Sequence, residues 1–407
     1  MPKVVFIGSA NMDKSIKLKA KIPGQLTREC TNESTETITP GGKALNQALA
    51  FIKQFPGADV HFIGCVGTEI KPGKNVPEID ANGQVLKEIL EKAGIGIEGL
   101  KVIDKVIEEK VKKPDGTFEM QKRRVKTDGR VITVSGEDGD YRMTGYGDCI
   151  KELTRENIPE MDSILEGADL VVIQLKMPPE TVRYVIEYCS RNNVKLLVDP
   201  TPLDKSRILV ENNCELLKKA TYLSPNEEEA FALAMYAAGK NLEEIDALFR
   251  TTSSKQRTEM IKALVRTSPN IFATMGGDGV IFNRDGEIIT QETYPTFCND
   301  ATGAGDTFNG AFAAAIMRDE DYETAILYGL MASSLKVQRD GAQNGVPSYE
   351  EIENRMEEEE RPPFVVDGDK EVVNKESTPK ETGDEVVITG TTDGQHSTDD
   401  NDGDEPR

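Results

Sequence analysis

The run NDATGAGDTFNGAFAAA, residues 299 to 315, sets a glycine-rich turn directly before a stretch of small, helix-forming residues. If the helix begins near Asp306, the backbone N–H groups of Gly303, Ala304, Gly305 and Asp306 converge on one spot. Unpaired N–H donors at a helix start bind anions, and glycine lets a phosphate approach without a Cβ clash. A carboxylate beside such donors can take a proton from an attacking hydroxyl while they stabilise a transferring phosphoryl group. An aspartate at that point could equally do no more than cap the helix. Histidine chemistry is nearly excluded, because His61 and His396 are the only two in the chain and a Ser-His-Asp or Cys-His system has no material. Acid and base work must therefore fall to carboxylates or lysines.

The elements that could carry such a site alternate along the chain. Apolar runs at 4–8, 59–67, 169–175, 194–200, 220–226 and 270–280 read as short strands covered on both faces. Between them, helical patterns occupy 82–94, 178–192, 226–239 and 306–317. This alternation predicts an α/β fold, a doubly wound and mostly parallel sheet. Period-two strands near 15–20, 34–40 and on either side of the turn EDGD at 137–140 break the rhythm. They predict a small β sheet lying over one end of the core.

Bulk composition narrows the partners. The 407 residues carry 71 acidic against 49 basic side chains, a net charge of −22 that repels a phosphate backbone or an anionic membrane. Neither nucleic acid nor membrane is expected as a partner, and no apolar run approaches a membrane span. The N-terminus lacks the pattern of a signal peptide, and six cysteines without C-x-x-C spacing fit reduced thiols, so a cytoplasmic location is expected. From Glu351 onward 19 acidic residues face 6 basic ones, with few large apolar side chains. A disordered acidic tail over 351–407 is the expectation.

TGAGDTFNG at 302–310, together with TPGGKALNQALA at 39–50, strongly resembles the ribokinase (PfkB) family of carbohydrate kinases, over residues 1 to about 350. The resemblance implies ATP-dependent phosphorylation of a hydroxyl on a sugar-like small molecule, with Asp306 as general base and Gly303, Ala304 and Gly305 around the transferring group. It implies a β lid formed from about 14–40 and 131–145, and a homodimer through the lids. Paired glycines Gly41 and Gly42 permit close backbone approach to a polyol, and Asn46 on the following first turn can bond hydroxyls, beside Lys43. In GSANMD at 8–13, Asn11 and Asp13 would hold sugar hydroxyls. SPNEEEA at 224–230 is similar to the family's magnesium-linked N-x-x-E motif, which makes Asn226 and Glu229 oxygen donors for hydrated Mg²⁺. ATMGGDGV at 273–280 resembles the nucleotide-binding segment, implicating Thr274, Gly276 and Gly279 in holding ATP. No G-x-x-x-x-G-K-[ST] loop occurs, so P-loop binding is not the mode. QRDGAQNGVPS at 338–348 resembles a monovalent-cation loop, where Asp300, Thr302, Lys336, Arg339, Gly341 and Gly345 would surround K⁺, largely through carbonyl oxygens.

Two departures from the family pattern bear on the acceptor. Lys176 stands where a glutamate helps hold the sugar, and Ala44 replaces the last glycine of G-G-K-G. Ribose itself is thereby in doubt, and the alternatives are a nucleoside or sugar phosphate, or a regulator that binds without turnover. A lysine cannot accept from sugar hydroxyls, so Lys176 must pair with a carboxylate such as Asp13 or meet a negative group on the substrate. The neutral sugar is the preferred expectation, since Asn11, Asp13 and Asn46 make a hydroxyl-reading set.

Overall fold

Alternation within KVVFI decides the layers. In the strand Lys3–Ile7, Val5 and Ile7 face one apolar cluster while Val4 and Phe6 face another, and all four are fully buried. Successive side chains of a strand point to opposite faces, so a strand whose last four positions are all apolar must be covered on both. The computed structural model describes residues 1–18, 34–113, 116–134, 141–147, 149–204 and 215–367. All of these lie in the larger of two units, Met1–Asn374 and Lys375–Arg407.

The central sheet runs in the order Tyr222–Leu223, Lys195–Asp199, Leu170–Gln174, Lys3–Ile7 and Asp59–Glu69. Gly96–Ile103 and the short antiparallel Glu78–Ile79 both pair with Asp59–Glu69. The remaining neighbours are parallel. One face packs on the helices Met161–Leu165, Pro179–Asn192 and Ser254–Thr267. The other packs on Lys43–Gln54, Ala81–Lys92, Ala304–Met317 and Tyr322–Val337. The expected doubly wound sheet is therefore present.

The half-exposed strands form a separate sheet in the order Tyr141–Tyr146, Gly129–Val134, Asn11–Leu18 and Ser34–Gly41. Its register sets Asn11 opposite Gly41, and Asp13 opposite both Thr39 and Arg130. Expected strand positions at 19–20 and 135–140 lie outside the described residues. The strands Val106–Lys112 and Phe118–Arg124, rich in charged residues, pair antiparallel as a two-stranded sheet.

Two expectations need correction. The run 270–280 is not one strand: Phe272–Thr274 turns through Gly276–Asp278 and pairs antiparallel with Val280–Arg284, in a second four-stranded sheet. Its glycines at positive φ reverse the chain. The expected boundary at 351 also falls inside an ordered element. Tyr349–Glu358 is a helix with a Ser348/Glu351 capping box, and Phe364–Val366 adds a strand to Glu287–Gln291. Within the acidic run, Tyr349, Ile352 and Met356 recur at helical spacing and pack on the core, and Ile352 is fully buried. The rest of the expected tail, 368–407, lies outside the described residues.

A chain ending after Glu350 should therefore unfold at a clearly lower temperature than one ending after Asp367. Losing the buried Ile352 and Phe364 removes on the order of 3 kcal/mol or more of apolar burial. Calorimetry on the two truncations checks this, and equal melting temperatures would refute it.

Candidate active site

Gly303 is the N-cap of Ala304–Met317, with φ 78°, and no side chain caps the helix. Asp306 is therefore the third helical residue, N3, and not the helix cap. Ala304 donates its N–H to the Ala301 carbonyl at 3.1 Å. The amides of Gly305 and Asp306 lie on the uncapped first turn, where the macrodipole favours an anion.

The Asp306 carboxylate is buried and held from the other glycine motif. Asn46 Nδ2 donates to its Oδ2 at 2.9 Å, and Gln47 Nε2 to its Oδ1 at 3.2 Å. Lys43 Nζ lies 4.0 Å from Oδ1. Lys43, Asn46 and Gln47 are three and four apart, so one helix face delivers all three. That helix starts at Gly42, whose φ of 101° disfavours any other residue and whose Cβ would lie 2.5 Å from the Ser9 carbonyl oxygen. Burial raises the Asp306 carboxyl above its ordinary value, with Lys43 opposing, Asp199 reinforcing, and the Asn46 and Gln47 bonds opposing. A carboxylate made more basic in this way is suited to general-base work.

Sequence reasoning did not single out Asp199, yet it is central. At the C-terminal end of Lys195–Asp199, its Oδ2 accepts from Lys43 Nζ at 2.9 Å and Gln47 Nε2 at 2.8 Å. Burial disfavours the Lys43 ammonium, but Asp199, Asp306 and Glu229 outweigh it and push Lys43 above its ordinary value. The available signal was position, since ligands of open α/β sheets gather at the carboxyl ends of the strands. Gln343 also belongs here, donating to Asn46 Oδ1 at 3.0 Å.

On the lid side, Asn11 Nδ2 donates to Asp13 Oδ1 at 2.5 Å, while the buried Asn11 Oδ1 has no partner. A Cβ on Gly41 would fall 2.3 Å from Asp13 Oδ2, so the glycine keeps that carboxylate accessible to a close neighbour. Lys176 pairs with Asp128 Oδ2 at 3.7 Å, so its carboxylate partner is Asp128 and not the expected Asp13. Burial lowers Lys176, opposed by Asp128 and then, after Arg130 lowers it further, by Asp13. Asp13 is raised, first by burial, against the charges of Arg130 and Lys176. It also feels Asp306, which places the two carboxylates within electrostatic reach.

Beyond the uncapped helix start lies a cleft of about 490 Å³ lined by Thr274, Gly276, Gly279, Thr296, Ala304 and Gly305 among others. All three residues implicated in holding ATP are in its wall, and their cleft reaches the first turn of Ala304–Met317. Asn226 and Glu229 form a reciprocal capping box beside it, and Asn226 bridges Thr274. Glu229 also accepts from the Thr201 hydroxyl. Burial raises Glu229, and the neighbouring Asp199 charge adds to it.

The loop expected to surround K⁺ is filled differently. The fully buried Lys336 side chain carries its Nζ to 2.6 Å from the Asp300 carbonyl oxygen and 3.4 Å from that of Arg339. Asp300 Oδ1 accepts from Thr302 N and its Oδ2 from Gly341 N, both at 2.8 Å. Gly345 N bonds the Gly341 carbonyl at 3.3 Å. Lys336 was expected to add its own carbonyl to the cage; instead its ammonium occupies the carbonyls offered by others.

A buried carboxylate of raised basicity on the first turn of Ala304–Met317, whose Ala304 and Gly305 line a cleft of nucleotide size, suits a kinase of small molecules. The profile of the pfkB family carbohydrate kinases matches residues 1–109 and 117–349, and the chain belongs to that family. It is an ATP-dependent carbohydrate kinase. The match breaks off after Glu109, within the strand Val106–Lys112, and resumes at Thr117, just before Phe118–Arg124. A ribokinase of Lactococcus lactis is 28% identical over 359 residues, spanning 88% of this chain and 98% of that protein. One of Bacillus subtilis is 28% identical over 356 residues, spanning 88% and 100%. The solved Thermotoga maritima ribokinase superposes with a TM-score of 0.64 at 26% identity, over 88% of this chain and 99% of its own. Arabidopsis thaliana ribokinase complexed with ribose and ATP shares the fold, with a TM-score of 0.64 at 23% identity over 87% and 97%.

Gly42→Ala should lower the melting temperature by several degrees, because a positive φ and a backbone oxygen at 2.5 Å both oppose the new methyl. Gly277→Ala, with nothing within 4 Å, is the control that should leave it unchanged. Equal melting temperatures for both variants would remove the constraint argued for Gly42.

Proposed function

We propose that the chain transfers the γ-phosphoryl group of ATP to a hydroxyl of a neutral sugar, with Asp306 as the general base. One observation carries this reading: a carboxylate of raised basicity sits on an uncapped helix turn at the wall of a nucleotide-sized cleft, held by amides of a second motif. Asp306 takes the acceptor's proton as the hydroxyl attacks. The first-turn amides and Lys43 stabilise the charge on the transferring group. A pure binder would have no use for a base that costs stability to bury, which disfavours the regulator reading.

Magnesium belongs to the same reading. Burial and then the Asp199 charge raise Glu229, and oxygen donors of this kind suit a hydrated divalent cation shared with the nucleotide. When bound, Mg²⁺ would neutralise phosphate charge.

The neutral acceptor is supported by the charge around it. Asp13 and Asp128 offset Arg130 and Lys176, and the orphaned Asn11 Oδ1 calls for a hydroxyl donor. A dimer through the lids is supported by the lid's edge strand Ser34–Gly41, on which Ile38 is 60% exposed. Light scattering at micromolar concentration should then report twice the chain mass, and a lone monomer would refute the pairing.

Coupled ATP consumption with pentoses, hexoses, nucleosides and sugar phosphates tests the reaction and its acceptor. Asp306→Asn should retain ATP binding while kcat falls by ~10²–10⁴, the usual scale for a general base. The acid limb of the wild-type kcat/KM profile should lie above the ordinary aspartate range, because activity falls as pH drops through a raised carboxyl value. Near-normal turnover in the variant would end the general-base assignment. Activity confined to anionic acceptors, and abolished by Lys176→Gln, would overturn the neutral-sugar reading.

A further inference from the structure

Lys336 lies in the last turn of Tyr322–Val337, where a helix end favours a cation. Its side chain is 0% exposed, which is rare for lysine unless the ammonium has partners. The partners are the carbonyl oxygens of Asp300 at 2.6 Å and Arg339 at 3.4 Å, with Asp300 Oδ2 at 3.9 Å. Burial lowers Lys336 from its ordinary value, against the opposing charges of Asp300, Cys298 and Asp340. The resemblance to ribokinases called for K⁺ within this set of oxygens, but the residues present do not fit that ion. An ammonium already on those carbonyls would face a second unit charge. Two unit charges about 4 Å apart in that poorly solvated setting repel strongly enough to oppose K⁺ binding.

The same loop braces the reaction centre. Asp300 receives N–H donors from Thr302 and Gly341, and both Asn299 N and Asp300 N reach the Val337 carbonyl, at 2.7 and 3.0 Å. A Cβ on Gly303 would meet Ala342 Cβ at 2.9 Å, so the loop after Arg339 touches the N-cap of the helix that carries Asp306. Converging carbonyls repel one another unless a positive charge gathers them, as carbonyl rings do around a permeant ion. Whatever cation fills the cage therefore holds the turn from Asp300 to Gly303 in place.

We propose that Lys336 is a tethered replacement for the monovalent cation, a positioning residue whose ammonium gathers the Asp300 and Arg339 carbonyls and makes this kinase independent of K⁺. The activity part of the test rests on the kinase reading above; the binding part does not. Wild-type protein, dialysed into choline chloride and compared with KCl at equal ionic strength, should keep kcat/KM within twofold and show no K⁺-linked change in melting temperature. Lys336→Ala opens the cage: it should lose at least tenfold in kcat/KM in choline, regain most of it in KCl or RbCl, and melt higher in KCl than in choline. Lys336→Met, which fills the space without charge, should lose activity in both salts. A tenfold or greater activation of wild type by K⁺, or a K⁺-linked rise in its melting temperature, overturns the proposal. So does a Lys336→Ala variant whose activity and melting are indifferent to K⁺. If Lys336→Ala fails to fold, the wild-type comparison decides. If no acceptor is phosphorylated in any salt, the kinase reading fails while the melting comparison still tests the tethered cation.

Discussion

The site exists because two helices can touch at a glycine. Lys43–Gln54 and Ala304–Met317 cross where a Cβ on Gly310 would lie 2.5 Å from Ala50 Cβ and 2.8 Å from the Phe51 amide nitrogen. Any larger residue would drive the axes apart, and the Asn46 and Gln47 amides would withdraw from Asp306. On the opposite side, Gly329 gives Phe308 a similar passage, with its would-be Cβ 2.8 Å from the ring. The alanines that follow Gly310 continue the same requirement. The small residues of 303–315 are therefore a packing condition for bringing the Asn46 and Gln47 amides onto Asp306.

Once the helices meet, electrostatics governs what the pocket can hold. Asp306, Asp199 and Glu229 sit buried around one ammonium, that of Lys43. Three carboxylates against one lysine leave a deficit of positive charge. Burial, and after it the charge of Asp199, raises Asp306 and Glu229, while the three carboxylates make Lys43 hold its proton more tightly. Removing a carboxylate from water and crowding it with like charge costs stability, and proteins accept such costs where they function. The deficit also explains how the same pocket could welcome a divalent cation arriving with a nucleotide.

Much of this was legible in the residues themselves. The glycine turn and the small-residue helix pointed to the fold and to Asp306 as the candidate base, because their chemistry is local, whereas Gln47, which joins Asn46 on that carboxylate, was not singled out. Asp199 was not legible, since a lone aspartate ending an apolar strand is ordinary until the third dimension sets it beside Lys43 and Gln47. The helix Tyr349–Glu358 was hidden by composition: its charge suggested solvation, while three apolar residues at helical spacing carried the packing. Lys336 was expected at the cation loop largely through carbonyl oxygens, and only the geometry shows its ammonium turned inward onto the carbonyls of Asp300 and Arg339.

A common logic links the two lysines that depart from family expectation. Lys176 stands where a glutamate was expected, and Asp128 supplies the opposite charge within 3.7 Å. Lys336 stands beside carbonyls that were expected to hold a free ion, and brings the charge on its own side chain. In both places the charge near the reacting groups belongs to the chain and not to the solution. A covalently held ammonium needs no loop-ordering step and no threshold concentration, so it organises its carbonyls before any ligand arrives. The lysine gives up the reversibility of a bound ion, and with it any response of this site to the surrounding salt.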